Sequence, residues 1–175
     1  LSQTIEEMVS RRKEYLTGYQ DAAWADRYAA LVAKVQKVEA EKFAGKKALS
    51  AAVARYYFKL MAYKDEYEVA RLYSQSDFRK RIADQFEGDY KLTFHMAPPI
   101  MSEVDPNTGE LKKRLFGPWM MTAFSVLAKF KGLRGGVLDI FGYTAERKME
   151  RQLIAEYEST VSSLLGSLTA DNYDV

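Results

Sequence analysis

The sequence predicts a mainly α (α+β) protein, a helical bundle built on a long antiparallel helical hairpin with a small two-stranded β insertion. Three observations predict it. Residues 5–43 favour helix almost throughout and contain no proline. Apolar residues from Leu49 to Ala70 recur at alternating intervals of four and three. Near Tyr90 the period drops to two.

The first stretch reads as one long helix or two. Ile5, Met8, Tyr15, Tyr19 and Ala23 form one apolar stripe, and Tyr28, Leu31, Val35 and Val38 resume it displaced, with the shift expected near Ala25 and Asp26. Gly18 lies inside this pattern, where it marks a bend or close approach or is simply tolerated at a cost of about 1 kcal/mol. After Gly45-Lys46-Lys47, the residues Leu49, Val53, Tyr56, Leu60, Tyr63, Tyr67 and Ala70 make a regular helical seam. The short connection favours an antiparallel pair whose facing stripes bury each other.

A third, short helix is signalled by Ser76 as cap, Phe78, Ile82 and Phe86 spaced by four, and Gly88 as stop. Tyr90, Leu92, Phe94 and Met96 then alternate with Lys91, Thr93 and His95, as in a strand with one buried face ended by Pro98-Pro99. Asp105-Pro106-Asn107-Thr108-Gly109 is turn-rich and precedes a second strand expected over 110–116. Gly117-Pro118 opens a helix with apolar Met120, Phe124, Leu127 and Phe130, stopped by Gly132. Thr144 caps a last helix whose expected apolar positions are Met149, Leu153, Tyr157, Leu164 and Leu168.

At 175 residues the chain reads as a single domain, 1–175, long enough to bury a core. Apolar residues at 47% and charged residues at 29% are an ordinary globular balance. The 26 basic and 24 acidic side chains are interspersed, so no strong field of one sign points to nucleic acid. No apolar run approaches the roughly 20 residues that span a bilayer, and the N-terminus lacks signal-peptide blocks, so the expectation is a cytoplasmic protein with no membrane partner. The chain begins without Met and ends just after a turn-like Thr169-Ala170-Asp171, as expected of a segment excised from a larger protein.

Chemistry is constrained by what is missing. With no cysteine there is no disulfide, thiolate nucleophile, zinc–thiolate site or Cys-ligated iron–sulfur cluster. His95 is the only histidine, so every Ser–His or multi-His arrangement would have to pass through it. Asp105, Asn107, Gly109 and Glu110 resemble a calcium loop only superficially, because the glycine is one place early and Phe116 stands where a closing Glu belongs. Gly132-Leu133-Arg134-Gly135-Gly136 follows a helix rather than a strand and lacks a Walker Lys-Ser/Thr, which favours a flexible helix terminus over an anion loop. Lys112-Lys113-Arg114 reads as a solvated strand edge. An independent enzyme would have to be built on His95 with Asp65, Glu66 or Glu87, without any accompanying nucleophile motif. The segment from Tyr63 to Tyr73 is aromatic and charged together, and Lys64 with Glu68 suggests an i,i+4 helical pair. The twelve tyrosines suit buried hydrogen bonds and interfaces, and core packing accounts for most of them.

Several ordered blocks then carry a family resemblance: Lys59-Leu60-Met61-Ala62-Tyr63-Lys64-Asp65-Glu66-Tyr67-Glu68-Val69-Ala70-Arg71-Leu72-Tyr73, Gln85-Phe86-Glu87-Gly88-Asp89-Tyr90, Phe116-Gly117-Pro118-Trp119, Lys131-Gly132-Leu133-Arg134-Gly135 and Phe141-Gly142-Tyr143-Thr144-Ala145-Glu146-Arg147. The chain resembles the C-terminal region of the fused indolepyruvate ferredoxin oxidoreductases over nearly its whole length. Before Lys47 the match runs through Tyr15, Tyr19-Gln20-Asp21-Ala22-Ala23 and Arg27-Tyr28. The resemblance implies a parent enzyme that oxidatively decarboxylates 2-oxoacids with thiamine diphosphate and iron–sulfur clusters, passing electrons to ferredoxin. Gly88-Asp89 is followed by Tyr90, so the Gly-Asp-Gly thiamine signature is missing, and the family's catalytic residues carry over to no position of this chain.

The expected function is therefore an accessory C-terminal domain with no catalytic, cofactor or metal residue of its own. It would contribute interdomain or subunit packing. Its partners would be the remaining domains of the parent oxidoreductase, or a second copy in a homo-oligomer. The alternative is a free-standing helical interaction module that uses Tyr-rich helix faces. The interface candidates are Tyr63, Lys64, Asp65, Tyr67 and Arg71, together with His95, Trp119, Arg134, Tyr143 and Arg147.

Overall fold

A computed structural model describes residues 2, 4–75, 77–97, 103–109 and 112–173. In chain order its elements are α1 (Ile5–Tyr19), α2 (Ala22–Lys42), α3 (Ala48–Met61), α4 (Glu66–Ser74), α5 (Phe78–Gln85), β1 (Phe94–Met96), β2 (Arg114–Phe116), α6 (Met120–Leu127) and α7 (Ala145–Ser167), with 3-10 turns at Ala128–Leu133 and Ala170–Asn172. This is the predicted mainly α architecture with a small two-stranded insertion. Within the span read as one domain, the residues pack as two units, Leu1–Tyr63 with Gly132–Val175, and Lys64–Lys131.

In the first unit the long helical stretch is broken at Gln20–Asp21, earlier than the stripe shift near Ala25 suggests. The Asp21 carboxylate accepts from the Trp24 amide at 2.7 Å, and this cap restarts the helix. Gly18 falls in the last turn of α1, where its flexibility costs little. The predicted hairpin is formed by α2 and α3, and three contacts fix its antiparallel sense. Trp24 Nε1 donates to the Met61 carbonyl, the Tyr28 hydroxyl donates to the Ala54 carbonyl, and Glu39 accepts from the Ser50 amide. The seam predicted to run on to Ala70 is cut after Met61. Ala62 leaves helical geometry, and Asp65 caps α4 by accepting from the Glu68 amide at 2.8 Å. Lys64 precedes that cap, so it shares no helix with Glu68, and Glu68 pairs with Arg71.

Helix α1 lies along this hairpin through the Lys13–Asp26 ion pair and the edge-on contact of Tyr15 with Phe58. The fourth helix, α7, is capped by Thr144, as predicted. Its apolar face is a correction to the sequence reading. Leu168 is buried and Tyr157 packs on the core as expected, but Ile154, Val161 and Leu165 are buried where Met149, Leu153 and Leu164 are exposed. Two neighbouring stripes on α7 are apolar, and the hairpin selects between them. Tyr157 stacks on Tyr57 and Glu158 pairs with Arg27, which turns the Ile154 stripe inward. The tyrosines fill this core: Tyr28 stacks on Tyr57, and Tyr19, Tyr28 and Tyr57 are fully buried.

In the second unit β1 and β2 pair antiparallel with Phe94 opposite Phe116, His95 opposite Leu115 and Met96 opposite Arg114. Each strand is shorter than its alternating pattern. Leu92 packs on the unit's core without joining the ladder, and residues 98–102 and 110–111 lie outside the described residues. Phe94, Phe116, Met120, Met121 and Phe124 form the core with Ala70 of α4. Tyr73 stacks on Phe124 at 5.2 Å and meets Phe94 and Phe78 edge-on.

Helix α6 starts at Met120 rather than Pro118, because the Gly117 and Pro118 carbonyls first close a turn on the Met120 and Met121 amides. Gly132 does not stop the winding, which tightens from Ala128 into a 3-10 turn through Leu133 and leaves Phe130 exposed. Helix α5 has the expected span, but Phe86 is exposed and the expected cap, Ser76, lies outside the described residues. Among the described residues no helix is long and apolar enough to cross a membrane.

Candidate functional site

The most structured irregular segment of the chain follows Leu133 in the first unit. Gly135 takes φ +74°, the left-handed region open to glycine. This turn brings Asp139 back beneath the loop, where it is 3% exposed. Its carboxylate accepts from the amides of Gly135 at 2.7 Å, Phe141 at 3.2 Å and Gly142 at 3.0 Å. A Cβ on Gly142 would lie 2.4 Å from Asp139 Oδ2, so only glycine fits against the carboxylate. The Tyr143 hydroxyl closes the loop on the Val137 carbonyl at 2.7 Å. With the polar groups turned inward, Val137, Leu138, Ile140 and Tyr143 stand 60–87% exposed. The amides of Gly135 and Gly136 are directed to Asp139 and to the Leu133 carbonyl, so the glycine-rich run serves its own loop.

Beside this loop Gln20, Trp24, Arg27, Tyr63, Arg134, Gly135, Arg151 and Ile154 line a cavity of about 200 Å³. Each arginine is held differently. Arg27 forks onto Glu158 at 2.6 and 2.8 Å and covers the Trp24 ring. Arg134 is buried, donates to the Tyr19 carbonyl at 2.7 Å and lies over the Tyr19 ring. Arg151 donates through Nη2 to the Gly142 carbonyl at 2.6 Å, while its buried Nη1 and the buried Oε1 of Gln20 have no hydrogen-bond partner.

Behind the cavity Tyr57 donates to Glu158 alongside Arg27. Burial pushes the Glu158 carboxyl up, but the hydrogen bonds from Arg27 and Tyr57 outweigh it and hold the group below its usual value. The hydrogen bond to Glu158 outweighs desolvation at Arg27 and raises its pKa, and burial followed by the Glu158 contact pushes the Tyr57 phenol well up.

The interface candidates scatter across the two units. In the first, Tyr63 is buried and accepts through its carbonyl from the Tyr19 hydroxyl. Arg134 is the cavity residue just described. Arg147 pairs with Glu150 at 2.6 Å and sits over the Tyr63 ring, and Tyr143 is exposed. In the second, Asp65 and Tyr67 are buried, and Arg71 forks onto the buried Glu68 at 2.7 and 2.8 Å. Lys64, His95 and Trp119 present surface. Asp65 is committed to its helix cap while His95 and Glu87 are exposed. Among the described residues no group of three or more acidic or histidine side chains is placed to hold a metal ion. Asp105 makes a tight turn on the Asn107 amide at 2.9 Å, and Arg114 approaches Glu103 at 3.7 Å.

Sequence reading missed Glu39, Asp139, Arg151 and Glu158. Each is a charged residue in a helical or loop context that reads as solvated; a partner distant in sequence shows otherwise for Glu39 and Glu158, and the folding of the loop does so for Asp139 and Arg151. The one local signal was Asp139, an acidic residue enclosed by Val137, Leu138, Ile140 and Phe141.

Fold and site together define a mainly helical protein in two packing units, with an internally braced apolar loop and an arginine-lined cavity in the first. The chain belongs to DUF6537, a family of unknown function, whose model matches residues 5–175. No curated protein and no solved structure matches it.

Proposed function

We propose that this chain is the accessory C-terminal domain of an indolepyruvate (2-oxoacid):ferredoxin oxidoreductase, a cytoplasmic enzyme. In this reading the chain supplies interdomain or subunit packing, and the other domains hold the thiamine diphosphate and iron–sulfur clusters. The observation that carries it is the apolar loop. Val137, Leu138, Ile140 and Tyr143 face outward from a segment whose shape is braced by the buried Asp139. A braced, contiguous apolar surface is costly in water and is characteristic of a contact site. The blocks Lys131 to Gly135 and Phe141 to Arg147, which resemble the oxidoreductases, flank this loop on both sides. Tyr19, Tyr28 and Tyr57, on the helix faces that a free-standing module would use, are buried in the helical core, which favours the accessory-domain reading.

The test is co-expression of the chain with the remaining oxidoreductase domains, comparing the wild type with a Leu138→Asp, Ile140→Asp double variant. Both side chains are exposed, so the variant should melt within a few degrees of the wild type while losing co-purification. Unchanged assembly of the double variant would remove the loop from the interface. An isolated reading frame with no thiamine-enzyme sequence upstream would overturn the reading and leave the free-standing module.

A further inference from the structure

We infer that a cavity within the second unit, between α5 and α6, binds a small organic anion with an apolar body, its charged head held by Arg79 and Lys91. The inference goes beyond the accessory-domain reading, which rests on the loop of the first unit, and its test needs no other domain.

Three segments of the second unit supply the walls. Helix α5 contributes Arg79 and Ile82, three positions apart and so on one helical face. Helix α6 and the turn before it contribute Pro118, Met121, Thr122 and Ser125, whose spacing of three, one and three also defines one face. Residues 90–92, on the approach to β1, form the third wall. One side chain fixes the two helices. Tyr73 meets Phe78, the first residue of α5, edge-on at 4.9 Å and stacks on Phe124 of α6 at 5.2 Å. The space between the walls is about 430 Å³, within the roughly 300–1,000 Å³ range of small-molecule sites.

The distribution of polarity selects the ligand class. Met121 is buried, and Ile82 and Leu92 are half-buried, so the interior of the cavity is apolar. Arg79, Tyr90, Lys91 and Thr122 are exposed and form its solvent-facing rim. Both formal charges of the lining are positive, and no carboxylate lines the cavity. Among the described residues neither Arg79 nor Lys91 forms an ion pair. Two cations on one concave surface, with no counter-charge in the lining, concentrate a positive field that draws in an anion. Guanidinium and ammonium are donors only, which suits carboxylate or phosphate oxygens and rejects a cationic head. The Tyr90 and Thr122 hydroxyls are further donors on the rim, whereas the Ser125 hydroxyl already donates to the Met121 carbonyl at 2.8 Å. The apolar interior takes the body of the ligand, which a bare inorganic ion would leave unfilled.

Phenyl phosphate is the probe, because its multiply charged head answers both cations and its ring suits the apolar interior. Titrated into the full chain and followed by amide NMR, it should give saturable shifts at Lys91, Leu92, Thr122 and Ser125 with a dissociation constant of about 1 mM or tighter. Phenol, the ring without the charge, and inorganic phosphate, the charge without the ring, should each bind at least about tenfold more weakly. Arg79→Ala and Lys91→Ala truncate exposed side chains and should leave the fold intact. Each should weaken phenyl phosphate about threefold to fivefold, and the double variant about tenfold or more. Lys113→Ala removes an exposed cation outside the lining and should leave the affinity unchanged. Thr122→Phe should fill the cavity and abolish the shifts. The assignment is overturned by no saturable response, by phenol or inorganic phosphate matching phenyl phosphate, or by undiminished affinity in the double variant or in Thr122→Phe. A loss in Lys113→Ala equal to that in Lys91→Ala would overturn it too.

Discussion

Arg134 donates to the carbonyl of Tyr19 at 2.7 Å while its guanidinium lies 3.6 Å from the centroid of the same residue's ring. Tyr19 is the last residue of α1, so one cation from 115 positions away caps the helix's C-terminus and covers its final aromatic face. The Tyr19 hydroxyl continues the connection to the Tyr63 carbonyl at 2.9 Å.

Replacing Arg134 with Met should therefore destabilise the protein by about 2–4 kcal/mol, combining a charge-assisted hydrogen bond with the ring contact. Arg134→Lys should recover part of this loss. Urea denaturation at constant slope measures it, and a Met variant within about 0.5 kcal/mol of the wild type would show that the cap contributes nothing.

Asp139→Ala should strip three amides of their acceptor and release the loop without melting the helices. Hydrogen exchange at Gly135, Phe141 and Gly142 should accelerate by at least about tenfold while amides within α2 and α3 stay protected. Gly142→Ala should give the same local pattern, because the added methyl would lie within 2.4 Å of Asp139 Oδ2.

Glu39 is a buried carboxylate on α2 that accepts from the Leu49 amide at 3.0 Å, the Ser50 amide at 2.9 Å, the Ser50 hydroxyl and the Tyr173 hydroxyl. It caps α3 from another helix, where Lys47 at the N-cap position makes no side-chain bond. Glu39→Ala should cost about 3 kcal/mol or more, and Glu39→Gln less, because the amide retains one acceptor. Thermal or urea denaturation separates the two variants. Equal stability of Glu39→Ala and the wild type would rule out the cross-helix cap.

The Arg27–Glu158–Tyr57 cluster should make stability fall at both ends of the pH scale. The Glu158 carboxyl has a lowered folded pKa, so its contribution is complete above the unfolded value of roughly 4.3 and is lost as pH falls through the folded value. Tyr57 has a raised folded pKa, so its contribution is complete below about 10 and is lost as pH climbs towards the folded value. Glu158→Gln should flatten the acid limb of a stability–pH curve, and Tyr57→Phe the alkaline limb. An acid limb equally steep in Glu158→Gln would exclude the cluster as its source.

Much of this architecture is legible in local pattern. The hairpin of α2 and α3 follows from stripe spacing and a short connection, the Thr144 cap from residue type, and the strand pair from a change of period. The misreading of α7 has one cause. A helical stripe records which positions can be buried, whereas the partner decides which are. On α7 both the Leu153 and the Ile154 stripes are apolar, and the contacts of Tyr157 with Tyr57 and of Glu158 with Arg27 select the second. At Asp65 a strong cap interrupts a seam that spacing alone would carry to Ala70.

The sequence by itself determined the fold class and, through the absence of cysteine and the single histidine, the chemistries closed to this chain. Those are properties of composition and of intervals shorter than two helical turns. Tertiary structure alone decided the uses of Glu39, Arg134, Asp139 and Arg151. A charged side chain carries no mark of burial until its partner is known, and the partners of Glu39, Arg134 and Arg151 lie 9 to 134 positions away. Asp139 finds its amides within four positions, but only the left-handed turn at Gly135 brings them together. Long-range geometry made these residues caps, loop braces and cavity walls, because unsatisfied charge inside a protein costs more than any local preference can offset.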